Sequence, residues 1–401
     1  MSDTTRSSAV RTSPSTSTAT QGLLTLGVLA NSSMENERRL PIHPRHLDRI
    51  DADIRARMIV ERGYGTDFQL EPGYVETRVG RVADRAEVLA SADVLLLPKP
   101  QLADVAELAE GRILWGWPHC VQDAALTQTA IDSRLTLIAF EAMNHWTSQG
   151  DMSLHVFHKN NELAGYCSVI HALSLVGSTG DYGPRLRAVV IGFGATARGA
   201  VTALNAHGVH DIEVLTQRGA AAVGSPIHNS HLTQLNTDDG PTHLSTVETE
   251  DGPVLLPDFL ATYDIVVNCT LQDVAAPLTY LRTEDLDRFA SGSLIIDVSC
   301  DEGMGFEWAI PTSFEEPMFT VGQGVNYYAV DHSPSYLWNS ATWDISEALL
   351  PFLRTVLSGP EAWAENSTLT RAIEIRQGVI QNPSILSFQG RDATYPHPLV
   401  A

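Results

Sequence analysis

The chain has 401 residues, more than one hydrophobic core usually holds, so two domains are expected. Apolar residues make up 43% and charged residues 18%, which excludes a wholly disordered chain or a coiled coil. With 26 Lys and Arg against 48 Asp and Glu, the formal charge is −22; phosphate backbones and anionic bilayers are repelled, so neither nucleic acid nor membrane is an expected partner.

Residues 1–21 are rich in Ser and Thr and lack the apolar centre of a secretory signal, so they read as a disordered tail. From Leu23 the pattern turns apolar. LLTLGVLA reads as a strand, and NSSMENERRLPIHP, with its two prolines, as a loop. MIVERGYG, ADVLLLPKP, RILWGWPH and LTLIAF repeat the strand theme, with ADRAEVLASA and DAALTQTAIDSR as helices between some of them. Such alternation implies a mostly parallel sheet. Asn161 to Val176 predicts a long amphipathic helix. RLRAVVIGFGATARGAVTALNAHGVHDIEVLTQR then reads as strand, glycine turn, helix and strand, one βαβ unit opening a second α/β domain. YDIVVN, SLIIDVS and a piece near MFTV supply later strands, while the polar stretch Gly219 to Gly252 reads as a long irregular surface excursion. TWDISEALLPFLRTVL is a helical pattern expected to pack back on the first domain.

Cys120, Cys167, Cys269 and Cys300 form no CxxC pair, which argues against a disulfide framework and fits a reducing cytoplasm. No run approaches the roughly 18 apolar residues that a membrane span needs. His155 and His158 lack a third ligand or a Glu partner, so no metal site is expected.

The segment Gly192-Phe193-Gly194-Ala195-Thr196-Ala197, with Arg198 following, is G-x-G-x-x-A after a strand and at the opening of a helix. That is the context of a dinucleotide fingerprint. The first glycine permits the turn, the second lets backbone N–H groups approach a pyrophosphate, and Ala197 allows helix to pack on strand. An NAD site wants an acidic residue at the end of the next strand, yet this one closes with Thr216-Gln217-Arg218, while Glu213 lies inside it. Arg218 suits a 2′-phosphate, which favours NADP(H) over NAD(H). Otherwise Arg218 is a surface arginine in a polar turn.

Arg39, Lys99, His119 and Asp301 stand where short apolar strands run out, the place where open α/β sheets collect ligands. Each also has a plain structural alternative: a solvated loop residue for Arg39, a turn for Lys99, a core histidine for His119, a cap at Gly303 for Asp301. Together they suit two cations clamping the carboxylate of a 2-oxo acid, an imidazole moving protons at its carbonyl, and a carboxylate orienting a nitrogen partner.

HKNNELAGYCSVIHAL, YGPRLRAVVIGFGATARGA, DVSCDEGMGFE and VDHSPSYLWNSATWDISEALLP resemble the alanine dehydrogenase superfamily, most of all its carboxyethylornithine synthase branch, over roughly Leu23 to Leu357. The resemblance implies two Rossmann-like α/β domains with parallel sheets, the cofactor domain inserted in the substrate domain. The boundaries expected are 22–160 and 334–401 for the substrate domain and 161–333 for the cofactor domain. It also implies Arg39 and Lys99 as carboxylate ligands, His119 as acid–base group, Asp301 as active-site aspartate, Asn161 just before the linking helix near the cofactor, and His332 beside the nicotinamide. The VDHxPS wording is also similar to saccharopine dehydrogenases. A capped turn is the alternative for His332.

The expected function is an NADPH-dependent condensation of a 2-oxo acid with the amino group of an amino acid such as ornithine or lysine, in a cytoplasmic homo-oligomer. Alanine dehydrogenase and a saccharopine-type enzyme are the alternatives, and a silent NADPH-binding sensor is the reading from another class. The missing acidic strand end and the SYLWNSATWDIS segment favour the opine-type enzyme over one using ammonia.

Overall fold

The short apolar runs become strands of two parallel-dominated sheets in a computed structural model that describes residues 22–218, 227–237, 245–272 and 277–400. The disordered tail expected at residues 1–21 lies outside them. The first sheet runs in the order Val379–Ile380, Ile373–Arg376, Thr136–Ala139, Ile113–Gly116, Val94–Leu96, Leu26–Val28, Met58–Glu61, Arg81–Ala83. Its six N-terminal strands are parallel, and the two strands from the chain's C-terminal part are antiparallel. Leu26–Val28, Val94–Leu96 and Thr136–Ala139 are buried throughout, which is why they read as continuous apolar runs instead of alternating ones.

The second sheet has six parallel strands, His231–Asn236, Asp211–Thr216, Arg187–Ile191, Ile265–Asn268, Leu294–Asp297 and Val325–Tyr328 in spatial order. In both sheets the spatial order of the parallel strands is third, second, first, fourth, fifth, sixth. Chain direction around the sheet therefore reverses between the first and fourth strands, opening a crevice at their carboxyl ends.

The irregular excursion expected over Gly219 to Gly252 is corrected. Its described part holds the strand His231–Asn236 and the hairpin Thr246–Thr249 with Gly252–Leu255, which extend the second sheet. Leu235 and Val247 point into the core while most neighbours are solvated; so sparse an alternation at a sheet edge resembles a polar loop in sequence. Met318–Val321 is a strand as expected, but it pairs antiparallel with Val325–Tyr328 at the other edge.

The long helix begins at His158, three residues before its expected start, and ends at Val176. It crosses the helix Ala195–Ala206 closely: a Cβ on Gly165 would stand 2.0 Å from the Thr196 carbonyl oxygen, and one on Gly199 1.8 Å from that of Glu162. The C-terminal helical pattern forms Trp338–Leu349 and, after a break at Pro351, Leu353–Leu357. Ile345, Leu349, Leu353 and Val356 pack with Leu26, Val28, Leu96 and Trp115 in the first domain's core, the return expected of this segment. Trp338 packs on Phe68, and Trp343 on His43 and His46. Cys120 and Cys300 are buried in core clusters. Among the described residues no helix is long and apolar enough to cross a membrane.

Candidate active site

Lys99 and His119 follow neighbouring strands of the first sheet, Val94–Leu96 and Ile113–Gly116. Gly116 lets those strand ends approach, since a Cβ there would meet the Leu97 carbonyl oxygen at 2.0 Å. Ser32 Oγ donates to the Lys99 carbonyl, and Trp117 N to that of Pro98 at 2.8 Å. Lys99 Nζ lies 3.1 Å from His119 Nε2 and 3.1 Å from Asp331 Oδ2. An ammonium only donates, so His119 Nε2 accepts and its proton sits on Nδ1. Burial, then the neighbouring Lys99 charge, push this imidazole down to about 3, against the pull of Asp331. His119 is neutral at neutral pH, and its side chain is 41% exposed, leaving an edge open to a ligand. Its backbone is left-handed, φ 48°, and its N–H donates to Glu141 Oε1 at 2.7 Å.

Arg39, in the loop after Leu26–Val28, is buried in a bidentate pair with Glu37: Nε donates to Oε1 at 2.8 Å and the second nitrogen to Oε2. Ser335 Oγ also donates to Glu37, at 2.6 Å. Burial alone raises the Glu37 carboxyl, but Arg39 outweighs it and holds the group below its usual range. Arg39 NH1 reaches Asn160 Oδ1 at 3.4 Å, and the guanidinium carbon lies 5.4 Å from the Trp117 ring centre.

From the second sheet come Asp301, beyond Leu294–Asp297, and Asp331, beyond Val325–Tyr328. Burial and then the negative Asp331 raise the Asp301 carboxyl, with Lys99 opposing. For Asp331 burial opposes ionisation, but Lys99 and His119 hold the carboxyl well below the usual range. Arg39 feels the same aspartate. Lys99 thus touches Asp331 and His119, joining the carboxyl ends of the two sheets, while Arg39 and Asp301 lie within electrostatic reach of the same aspartate.

His332 is buried, with Nε2 at 2.6 Å from the Glu35 carbonyl and Nδ1 unpartnered; it ties the second domain to the loop carrying Arg39. It also precedes the turn Ser333–Leu337, but its side chain makes no capping hydrogen bond there. Asn161 lies inside the first turn of the long helix, not before it, 3.5 Å from His155 Nδ1.

The glycine turn follows Arg187–Ile191 at the second sheet's switch point. Gly192 has φ 115°, and a Cβ on it would lie 2.9 Å from the Cys269 carbonyl oxygen. Gly194 faces open space: a Cβ there meets nothing within 4 Å. It precedes Ala195, Thr196 and Ala197, whose N–H groups open the helix Ala195–Ala206, and Ala197 is fully buried. An open cradle beneath a helix N-terminus fits a dinucleotide pyrophosphate. Arg198 lies over the Phe193 ring. At the end of Asp211–Thr216, Thr216 is buried and its Oγ1 accepts from Arg218 N at 3.1 Å. Gln217 contacts Thr237 at 3.3 Å, and Arg218 is exposed. Glu213 is held within the sheet by Thr233 Oγ1.

Sequence reasoning missed Asp331, Glu37, Glu141 and Asn160. Asp331 carries the same signal as the others, a polar group at the end of an apolar run, here VNYYAV, but that run was not read as a strand. Glu141 carries that signal too, directly after LTLIAF, whereas Glu37 and Asn160 had none beyond adjacency to residues already singled out.

The family model described as "Alanine dehydrogenase/PNT, N-terminal domain" matches residues 27–164, and "Alanine dehydrogenase/PNT, C-terminal domain" matches residues 185–383. An alanine dehydrogenase of Halomonas elongata is 27% identical over 288 residues, 72% of this chain and 74% of that protein. The N(5)-(carboxyethyl)ornithine synthase of Lactococcus lactis subsp. lactis is 23% identical over 335 residues, 80% of this chain and 92% of that protein. A solved L-alanine dehydrogenase shares the fold, with a TM-score of 0.72 at 17% identity over 91% of this chain and 99% of the other.

Proposed function

The chain belongs to the alanine dehydrogenase/PNT family and is an NAD(P)-dependent oxidoreductase; from that premise we propose that it condenses a 2-oxo acid such as pyruvate with the amino group of an amino acid such as ornithine or lysine, with NADPH as reductant. The observation that carries the reading is the contact of Lys99 with both His119 and Asp331, which joins the ends of two sheets at one point. Likeness to the carboxyethylornithine synthase over 92% of its length supports the amine partner.

Lys99 binds the carboxylate of the oxo acid, exchanging part of its pairing with Asp331 for the substrate, and Arg39 contributes through NH1. A fixed cation turns a loose encounter into an oriented one. The amine attacks the carbonyl carbon, and the adduct loses water to form an imine. As Lys99 turns to the substrate carboxylate it frees Nε2 of neutral His119, which then takes the proton released by the attacking nitrogen and returns it to the departing hydroxyl. Asp301 and Asp331 face the nitrogen partner and favour its cationic forms. Gly192, Gly194, Ala195, Thr196, Ala197 and Arg198 would hold NADPH, which when bound would supply the hydride for the reduction. Arg218 would pair with the 2′-phosphate, since no carboxylate closes the second strand; Thr216 and Gln217 shape that end. Asn161 and His332 would lie on the nicotinamide side, and we take the inserted cofactor domain to span 161–333.

Purified protein incubated with NADPH, a panel of 2-oxo acids and a panel of amines, read by mass spectrometry, tests this. The expected product is the secondary amino acid of pyruvate with a diamino acid. Cofactor oxidation with pyruvate and ammonia alone establishes alanine formation instead.

A further inference from the structure

His119 and Cys300, one in each domain, hold left-handed backbone beside the cleft, at φ 48° and φ 46°. That conformation crowds the Cβ of an L residue and persists only where surroundings enforce it. In both cases a carboxyl oxygen accepts the residue's own N–H. For His119 it is Glu141; for Cys300 it is Asp297 Oδ1, at 3.2 Å.

Asp297 closes the strand Leu294–Asp297 and is fully buried. Its Oδ1 also accepts from Asn268 Nδ2 at 2.9 Å, and its Oδ2 from Tyr327 OH at 2.7 Å. Asn268 ends the neighbouring strand, and its Oδ1 accepts from Thr270 Oγ1 at 2.6 Å. Tyr327 lies in the strand on the other side. One carboxylate thus fastens three adjacent strands to the residue that precedes Asp301. Its three partners all donate, as an ionised group requires; burial pushes the carboxyl up, but only to about 6.

We propose that Asp297 is a positioning residue, which imposes the left-handed turn at Cys300 and thereby presents Asp301 to the cleft. This rests on the role of Asp301 set out above. Asp297 acts through the backbone of Cys300 and not on the substrate.

The test is a rescue. Asp297→Ala should lower kcat about 10- to 100-fold, the scale of a misplacement near 1 Å, while NADPH binding by fluorescence titration persists. Glycine occupies the left-handed region freely, so adding Cys300→Gly should restore most of that loss, measured against Cys300→Gly alone. A general packing defect would deepen with the second change, and absence of rescue overturns the proposal. Should Asp297→Ala not fold, Cys300→Val reads the same turn with the carboxylate intact, because a β-branched side chain is strongly disfavoured there. It should show the same selective loss in kcat, and an unaltered kcat overturns the proposal. Asp301→Asn separates the two layers. If it turns over normally, the role of Asp301 is wrong; if it is impaired while Asp297→Ala or Cys300→Val is not, only the positioning role is wrong.

Discussion

On an exposed helix, Gly→Ala stabilises by about 0.5–1 kcal/mol, because glycine surrenders more backbone entropy. Gly165→Ala should do the opposite here. The added Cβ would stand 2.0 Å from the Thr196 carbonyl oxygen and 2.9 Å from Ala200 N, whereas close carbon–oxygen contacts settle near about 3.3 Å. The helices His158–Val176 and Ala195–Ala206 must therefore part by about 1.3 Å, a distance set by ordinary contact geometry. Overpacking of this kind costs about 1–3 kcal/mol, enough to outweigh the entropic gain. Because Ala195–Ala206 starts at the glycine turn, its N-terminal N–H groups move with it. We expect a lower Tm in scanning fluorimetry and about tenfold weaker NADPH binding, equivalent to about 1.4 kcal/mol. A higher Tm with unchanged NADPH affinity would refute the account of the crossing.

Arg218→Glu should shift kcat/KM from NADPH toward NADH by about 10- to 100-fold, the value of a charge-assisted hydrogen bond of about 1.5–3 kcal/mol; an unaltered ratio would show that another group reads the ribose. Glu141→Gln should change how stability depends on pH. Burial, then Glu374, hold the Glu141 carboxyl above its usual 4.5, so the folded chain keeps a proton that the unfolded chain releases, and stability is lost as pH rises from there through neutrality. The amide keeps an acceptor for His119 N–H, so the variant should lose part of that decline. Parallel curves of Tm against pH would reject the buried acid pair.

Most of the central parallel strands were legible because burial on both faces leaves continuous runs such as VLLL and IIDV, and the glycine turn was legible because its backbone demands are local. The outlying strands on one side of the second sheet were not: His231–Asn236 and Thr246–Thr249 bury few side chains each, so they resemble polar loops. Met318–Val321 was legible as a strand, but its antiparallel pairing with Val325–Tyr328 depends on a partner the sequence does not name. In the site, Lys99, His119 and Asp301 announced themselves at strand ends. Asp331 did not, because its strand was missed. The Arg39 pairing with Glu37 was equally hidden: sequence shows two neighbouring residues, while burial turns them into an ion pair that takes up Nε and one terminal nitrogen of Arg39, which makes Lys99 the principal cation at the cleft. The carboxylates behind His119 and Cys300 emerge only once backbone angles are known.

The kcat of Lys99→Met, measured with saturating NADPH, a 2-oxo acid and an amine, tests the central claim most directly. Methionine keeps the stem but offers no donor to a carboxylate. Turnover should fall about 100- to 1000-fold, the scale for losing one well-placed donor, with NADPH affinity retained. Turnover close to that of the parent would mean that the oxo acid is not held at Lys99, and that the meeting of Lys99, His119 and Asp331 serves the fold alone.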